Sequence, residues 1–184
     1  MSIAHQPVTW RQFETMVFDR PTELVHGALV EQAMPTTQHG SVCLAVGTEL
    51  RKWARASGTG SAFSNDSHVL TEHDPDTVRG PDCGFVRRER LPEGKLPPGV
   101  LRIPVDLAVE VLSPSDRWAD VLDKVLEYLR SGVREVWVLD PERRTLAIHQ
   151  SDESAISLTE DDVLTRPNLL PGFSCPVAEF FSEL

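Results

Sequence analysis

Cysteine is scarce in this 184-residue chain, and long apolar runs are missing. Cys43, Cys83 and Cys175 are widely spaced and form no Cys-x-x-Cys pair. This spacing argues against a disulfide framework and against a cysteine-rich zinc site. No apolar run approaches the roughly 20 residues that cross a membrane, and the first residues lack the basic and apolar segments of a secretory signal. We therefore expect a cytoplasmic protein with reduced thiols and no membrane partner.

Basic residues are also in deficit. The chain has 18 lysines and arginines against 28 aspartates and glutamates, so its formal net charge is −10. This balance argues against a chain-wide basic surface for nucleic acid but leaves room for a local basic groove. The length suits one sizeable core, and we expect a single domain over residues 1–184.

The middle of the chain has the pattern of a parallel strand–helix–strand unit. Residues 105–112 are almost wholly apolar, which is typical of a strand buried on both faces. Apolar residues then recur at helical spacing as far as Arg130, and residues 135–140 form a second apolar strand. We expect the helix to bury Val121, Leu122, Val125, Leu126 and Leu129. Such a unit pairs its two strands in parallel.

Further elements are predicted on either side of this unit. Thr9 can cap a first helix, and residues 145–149 are expected to form an edge strand, which is a candidate dimer surface. The other expected elements are a hairpin over 24–32, a long helix over 37–56, one strand over 61–70, a strand from Pro81, a mobile basic loop over 87–99, a strand over 154–158 and a closing helix over 176–184. The expected fold class is α/β, with a mixed β-sheet flanked by helices.

Two acidic residues stand in or beside apolar strands, and a lysine follows them on the predicted helix. Asp82 opens the run 82–86, and Glu110 interrupts the run 105–112. A carboxylate in an apolar strand is costly unless something compensates its charge. Asp82, Glu110 and the carbonyl of Val111 could coordinate Mg²⁺ or Mn²⁺ for phosphate chemistry. Lys124 could neutralise a phosphate oxygen or orient the attacking water.

Each of these residues also has a structural interpretation. Asp82 could accept a backbone N–H at the start of a strand. Glu110 could belong to a buried salt bridge with Arg102, Arg134 or Lys124. Lys124 alone could be an ordinary solvated helix residue.

Other residues are candidates for the border of the site. His39 could begin the long helix or line the site, and Tyr128 lies four residues after Lys124 on the same helical face. Arg87, Arg88 and Arg90 could contact a DNA backbone or belong to a solvated loop.

The order of these residues resembles a known nuclease pattern. Pro81-Asp82 followed by Glu110-Val111-Leu112 resembles the PD-(D/E)XK motif, in which a lysine follows the second acid by two positions. Leu112 occupies that position, and Lys124 looks like a migrated replacement. The whole chain is similar to the Uma-type family of small bacterial restriction endonucleases. The matching segments are residues 23–30, Pro35 with His39, 79–82, 106–115, Lys124 with Glu127-Tyr128, 132–141 and 170–173.

This resemblance implies a restriction-endonuclease-like fold, a divalent-metal site, and Glu23 as an upstream acid that approaches the site. The favoured hypothesis is an Mg²⁺- or Mn²⁺-dependent DNA endonuclease. The acidic balance and the missing lysine at Leu112 favour an alternative, a non-catalytic nucleic-acid- or protein-binding module on the same fold. A hydrolase of a smaller phosphate ester is a third possibility. Because a duplex has two strands, a homodimer is expected for the nuclease.

Overall fold

The computed structural model describes residues 6–65, 67–151 and 153–184. In chain order, the α-helices and strands are α1 (Trp10–Phe13), β1 (Thr22–Val25), β2 (Ala28–Glu31), α2 (Thr37–Ser57), β3 (Gly60–Ser64), β4 (Val69–Glu72), β5 (Thr77–Arg79), β6 (Cys83–Arg87), β7 (Leu107–Val111), α3 (Trp118–Arg130), β8 (Glu135–Asp140), β9 (Thr145–Gln150), β10 (Glu153–Thr159), β11 (Val163–Arg166) and β12 (Leu170–Pro176). Short 3-10 turns cover Arg88–Arg90, Pro92–Gly94 and Val177–Phe181. No helix in these ranges is long and apolar enough to cross a bilayer.

A six-stranded mixed sheet forms the centre of the protein, in the order β10-β9-β8-β7-β6-β3. Strands β7 and β8 are parallel and the other pairs are antiparallel. The predicted strand–helix–strand unit is therefore confirmed. Strand β7 lies in the interior of the sheet, which explains why its sequence is apolar on both faces.

The two long helices cover opposite faces of this sheet. Successive residues of a strand point to opposite faces, and the core divides accordingly. Leu107 and Val109 pack with the apolar face of α2, whereas Ala108 packs with Val125 and Tyr128 of α3. Both faces are buried, so charged groups on these strands can reach water only near the strand ends.

A smaller antiparallel sheet in the order β2-β1-β5-β4 lies beside the main one. The predicted hairpin is confirmed as β1 and β2, which are joined by His26 and Gly27 with positive φ values of 48° and 77°. Helix α2 begins after Thr36, whose side chain accepts a hydrogen bond from the backbone amide of His39. It ends at Gly58, which has the left-handed conformation with φ 68°. These caps fix which residues of α2 face the sheet.

Several expectations from the sequence are wrong. The strand over 145–149 is not an edge, because β9 pairs with both β8 and β10; the dimer surface expected there is already occupied within the chain. The stretch 61–70 is not one strand but contributes β3 and β4 to different sheets. The basic loop after β6 contains two 3-10 turns, and Leu122 and Leu126 of α3 are exposed rather than buried. The closing helix expected over 176–184 is present but shorter, as a 3-10 helix over Val177–Phe181.

Candidate active site

A cleft of about 770 Å³ opens where the small sheet, the end of β7 and helix α3 meet. Glu23 of β1, His39 at the start of α2, Asp82 before β6, Glu110 near the end of β7 and Lys124 of α3 all line it. Five candidates from distant parts of the sequence therefore share one cavity. Tyr128 is fully buried beside them, and Val111 is part of the cleft wall.

Lys124 joins the two glutamates of the cleft. Its Nζ lies 2.9 Å from Glu110 Oε2 and 3.0 Å from Glu23 Oε1. The Lys124 side chain is 18% exposed, so this lysine is not an ordinary solvated helix residue. Glu110 is paired with Lys124, as its structural interpretation proposed, but it also faces a cleft that a ligand can enter.

Asp82 uses its two carboxylate oxygens differently. Oδ2 accepts a hydrogen bond of 2.6 Å from the backbone amide of Val111, which ties the entrance of β6 to the end of β7. Oδ1 lies 3.3 Å from Nε2 of His39. Asp82 therefore satisfies a backbone N–H and still contributes an oxygen to the cleft, so its structural and its functional interpretation are compatible.

Ion pairs of Arg79 with Glu23 and with Glu127 of α3 hold Glu23 and this helix in place. Arg79 Nη1 donates to Glu23 Oε2 over 2.9 Å, and its Nε donates to both oxygens of Glu127 over 3.0 Å. Arg79 Nη2 also contacts Glu127, and the Gly80 amide donates to Glu23 Oε1 over 2.9 Å. Sequence reasoning gave Arg79 and Glu127 no role in the site. The available signal was helical spacing, because Glu127 lies three residues after Lys124.

The two glutamates beside Lys124 titrate in opposite directions. Burial raises the pKa of Glu110 to about 7, and the nearby carboxylates Asp82 and Glu23 add to this shift while Lys124 opposes it. Burial alone would also raise the pKa of Glu23, but Lys124, Arg79 and the Gly80 amide together lower it to about 2. At neutral pH Glu23 is thus fully ionised, whereas Glu110 is close to its titration midpoint.

Their partners hold fixed protonation states. Burial alone would lower the pKa of Lys124, but Glu110 and Glu23 raise it above its ordinary value, so the ammonium is charged. Burial and the neighbouring Glu110 raise the pKa of Tyr128 well above its usual value. The Tyr128 hydroxyl therefore stays protonated and donates a hydrogen bond of 2.8 Å to Glu110 Oε1.

The three arginines considered as DNA contacts lie at the other end of β6. Strand β6 separates Arg87 from Asp82 by five residues, or about 16 Å. Arg90 Nη1 lies 3.1 Å from Asp106 Oδ1, and Arg88 donates to the carbonyl of Gly58 over 3.1 Å. Arg87 and Arg88 line a separate depression, so the structure does not bring them to the cleft.

The donor set of the cleft fits a hard divalent cation. Asp82 and Glu110 provide carboxylate oxygens, which are the ligands that Mg²⁺ and Mn²⁺ prefer. Burial and, to a smaller extent, repulsion from Asp82 raise the pKa of Glu110, and a bound cation would favour its ionised form. The Val111 amide donates to Asp82, which holds this part of the backbone beside the carboxylate; the role of the Val111 carbonyl as a ligand stays a prediction.

Comparison with known proteins shows which fold this chain shares and which family it belongs to. A crystal structure described as "a putative nuclease belonging to DUF820", from Anabaena variabilis, has a TM-score of 0.83 and is 19% identical in sequence. The match covers 96% of this chain and 98% of that one, so the two share a mixed α/β fold. The model of the Uma2 family, described as "Putative restriction endonuclease", matches residues 10–178. The chain belongs to the Uma2 family, and the expected resemblance is confirmed; no curated protein matches it.

Proposed function

We propose that this protein is a divalent-metal-dependent endonuclease that hydrolyses phosphodiester bonds in DNA. The observation that carries the proposal is the convergence of Asp82, Glu110 and Lys124 in one cleft, with Lys124 Nζ 2.9 Å from Glu110. These three residues come from a strand entrance, a buried strand and a helix. Membership of a family described as restriction endonucleases supports the same proposal.

Asp82 and Glu110 would hold the cation, Mg²⁺ or Mn²⁺, together with the carbonyl of Val111. A bound divalent cation lowers the pKa of its water and offsets negative charge on the phosphate. Because the pKa of Glu110 is about 7 in the ion-free protein, binding a cation at neutral pH would displace a proton from part of the population.

Lys124 would act on the phosphate or on the attacking water. Its ammonium is charged and lies between Glu110 and Glu23, and the Lys124 side chain lines the cleft with 18% of its surface exposed. Preorganised charge is effective in catalysis because it needs little rearrangement during the reaction. Glu23 positions Lys124 and is itself held by Arg79, so we assign Glu23 a positioning role rather than that of a third metal ligand.

Cleavage of duplex DNA, measured with and without Mg²⁺ or Mn²⁺, tests this proposal. Wild type should cleave only with the cation, and Glu110→Gln and Asp82→Ala should each lose at least 100-fold in rate, as is typical when an electrostatic group of an active site is removed (about 10²–10³). Asp140→Asn is the matched control, because Asp140 ends the parallel neighbour of β7 but pairs with Arg143 outside the cleft.

Other outcomes would point to the alternatives. Cation binding with no cleavage of DNA but hydrolysis of a mononucleotide ester would favour the smaller phosphate substrate. Neither cation binding nor hydrolysis would favour the non-catalytic binding module, in which Lys124 and the two glutamates form only a buried ion network. Cleavage that survives in both cleft variants would eliminate these residues as the centre.

A homodimer and a cytoplasmic location remain predictions. A dimer would supply two centres for two strands, but its surface must lie elsewhere than on β9. Light scattering on the purified protein is the direct test, and a monomer at the concentrations that cleave DNA would contradict the prediction.

A further inference from the structure

Helix α2 carries a second group of ligand-type side chains, His39 and Cys43. They are four residues apart and therefore lie on one face of the helix. His39 Nδ1 is 3.4 Å from Cys43 Sγ, and His39 Nε2 is 3.3 Å from Asp82 Oδ1. One ligand atom from each of the three residues lies within 4.8 Å of the other two.

The chemistry of these donors differs from that of the Asp82–Glu110 pair. Mg²⁺ prefers oxygen ligands, whereas imidazole and thiolate select Zn²⁺ and related transition metals. An imidazole and a sulfur one helical turn apart, opposite a carboxylate, form a mixed nitrogen–sulfur–oxygen set. The sequence argues against a cysteine-rich zinc site, but a site with one cysteine needs no Cys-x-x-Cys pair.

The dimensions of the cluster suit such an ion. Metal–ligand bonds of about 2.0–2.3 Å at tetrahedral angles place ligand atoms about 3.5 Å apart. The three ligand atoms lie within 4.8 Å of one another, and the short contacts of His39 to Cys43 and Asp82 use different ring nitrogens. Rotations about the side-chain bonds are therefore needed to bring one nitrogen, the sulfur and the carboxylate oxygen to the spacing of a bound ion. His39 and Asp82 both line the cleft, which leaves a fourth position open to water, as in zinc sites that have three protein ligands.

We propose that His39, Cys43 and Asp82 form a binding site for a thiophilic divalent transition metal of the Zn²⁺ class. The site shares Asp82 with the proposed endonuclease centre but requires neither Glu110 nor Lys124, and it requires no activity on DNA. Because Asp82 Oδ1 faces His39, a transition metal at this site competes for the oxygen that the hard cation would use. Binding of one kind of ion should therefore weaken binding of the other, because both would use the Asp82 carboxylate.

Cobalt(II) is the probe that tests the thiolate directly. Titration of the reduced wild-type protein with Co²⁺ should produce a near-ultraviolet thiolate-to-cobalt charge-transfer band, which Zn²⁺ then displaces. The band should disappear in Cys43→Ser, and the affinity for Zn²⁺ by calorimetry should fall more than about tenfold in His39→Ala, since even outer-shell losses reach that size. Glu110→Gln should keep the band, although it abolishes the proposed DNA cleavage.

The remaining thiols provide matched controls. Cys83→Ala and Cys175→Ala should both retain the band, because only Cys43 joins the cluster with His39 and Asp82. No band in folded wild type, or a band that persists in Cys43→Ser, would overturn the proposal. If Cys43→Ser fails to fold, judged by circular dichroism, the decision passes to His39→Ala: an unchanged affinity for Zn²⁺ there would equally overturn it. Loss of DNA cleavage alone would leave the proposal standing, so its failure is distinguishable from that of the endonuclease proposal.

Discussion

Replacing Glu110 by glutamine should stabilise the ion-free protein at alkaline pH. A glutamate in the unfolded chain has a pKa near 4.5, whereas burial raises that of folded Glu110 to about 7. The folded state therefore binds more protons than the unfolded state between these values, and stability falls as the pH rises from 4.5 to 7. A shift of one pKa unit corresponds to about 1.4 kcal/mol, so ionised Glu110 destabilises the fold by about 3 kcal/mol above pH 7.

Glutamine resembles protonated glutamate in shape; its amide oxygen can accept a hydrogen bond from Lys124 while its amide N–H donates to the Tyr128 hydroxyl oxygen. At pH 8 Glu110→Gln should thus be more stable than wild type by about 3 kcal/mol, which is about 1.5 M in the urea midpoint for a typical slope of about 2 kcal/mol/M. At pH 4.5 the two proteins should differ by less than about 0.5 kcal/mol. Urea unfolding followed by tryptophan fluorescence, in EDTA at both pH values, measures these differences.

Glu23→Gln is the matched control, because Glu23 binds the same lysine. The pKa of Glu23 is lowered to about 2, so its ionised form stabilises the fold above pH 4.5, and that stability is lost as the pH falls toward 2. This variant should be less stable than wild type by about 3 kcal/mol at pH 8. A destabilised Glu110→Gln at pH 8 would refute the reasoning, because it would mean that the Glu110–Lys124 ion pair outweighs the burial of the carboxylate.

Three further substitutions probe the surroundings of the cleft. Arg79→Met should destabilise the protein by about 3–5 kcal/mol in thermal or urea unfolding, because it leaves the buried Glu127 without its cation and Glu23 with Lys124 alone. Arg143→Ala, at an exposed arginine that pairs with Asp140, should leave stability nearly unchanged. Tyr128→Phe removes a hydrogen-bond donor to Glu110 and should therefore raise the pKa of Glu110. The pH profile of DNA cleavage should then move to higher pH. An unchanged profile would mean that ionisation of Glu110 does not limit the rate. Arg117→Ala, at the exposed border of the cleft, should weaken DNA binding and lower the salt slope by about 1, whereas Arg88→Ala at the other end of β6 should leave both unchanged.

The sequence identified residues that meet in the cleft because charges in apolar strands have few physical explanations. Glu110 is surrounded by Val109 and Val111, so either a salt bridge or a ligand had to accompany it, and the structure shows Lys124 beside it. Asp82 was identifiable for the same reason. The family resemblance was needed for Glu23, since nothing in its local sequence indicates that β1 is buried against the cleft.

What the sequence did not predict depends on contacts between elements far apart in the chain. Arg79 meets Glu127 across 48 residues, and no local pattern identifies such a pair. The cluster of Cys43 with His39 and Asp82 was missed because the cysteine is a small, half-buried residue on an ordinary amphipathic helix. The position of β9 inside the sheet was missed because alternating burial looks the same in an edge strand and in a strand that has a further hairpin partner.

The charges around the cleft explain why a cation site is the most economical interpretation of this network. Asp82, Glu110, Glu23 and Glu127 are four carboxylates. Among the described residues, Lys124 and Arg79 form ion pairs with the three glutamates, and the His39 ring lies against Asp82. With all six groups ionised, the sum is two negative charges in a mostly buried region. The ion-free protein reduces this excess by holding a proton on Glu110 near neutral pH. Apart from Lys124, the group that donates to Glu110 is the hydroxyl of Tyr128, which is neutral and adds no positive charge. Glu23 keeps its charge because Arg79 and the Gly80 amide supplement Lys124. A divalent cation bound between Asp82 and Glu110 would neutralise the same excess negative charge without the proton. Ionised Glu110 destabilises the ion-free protein, and a bound metal would stabilise that same ionised form.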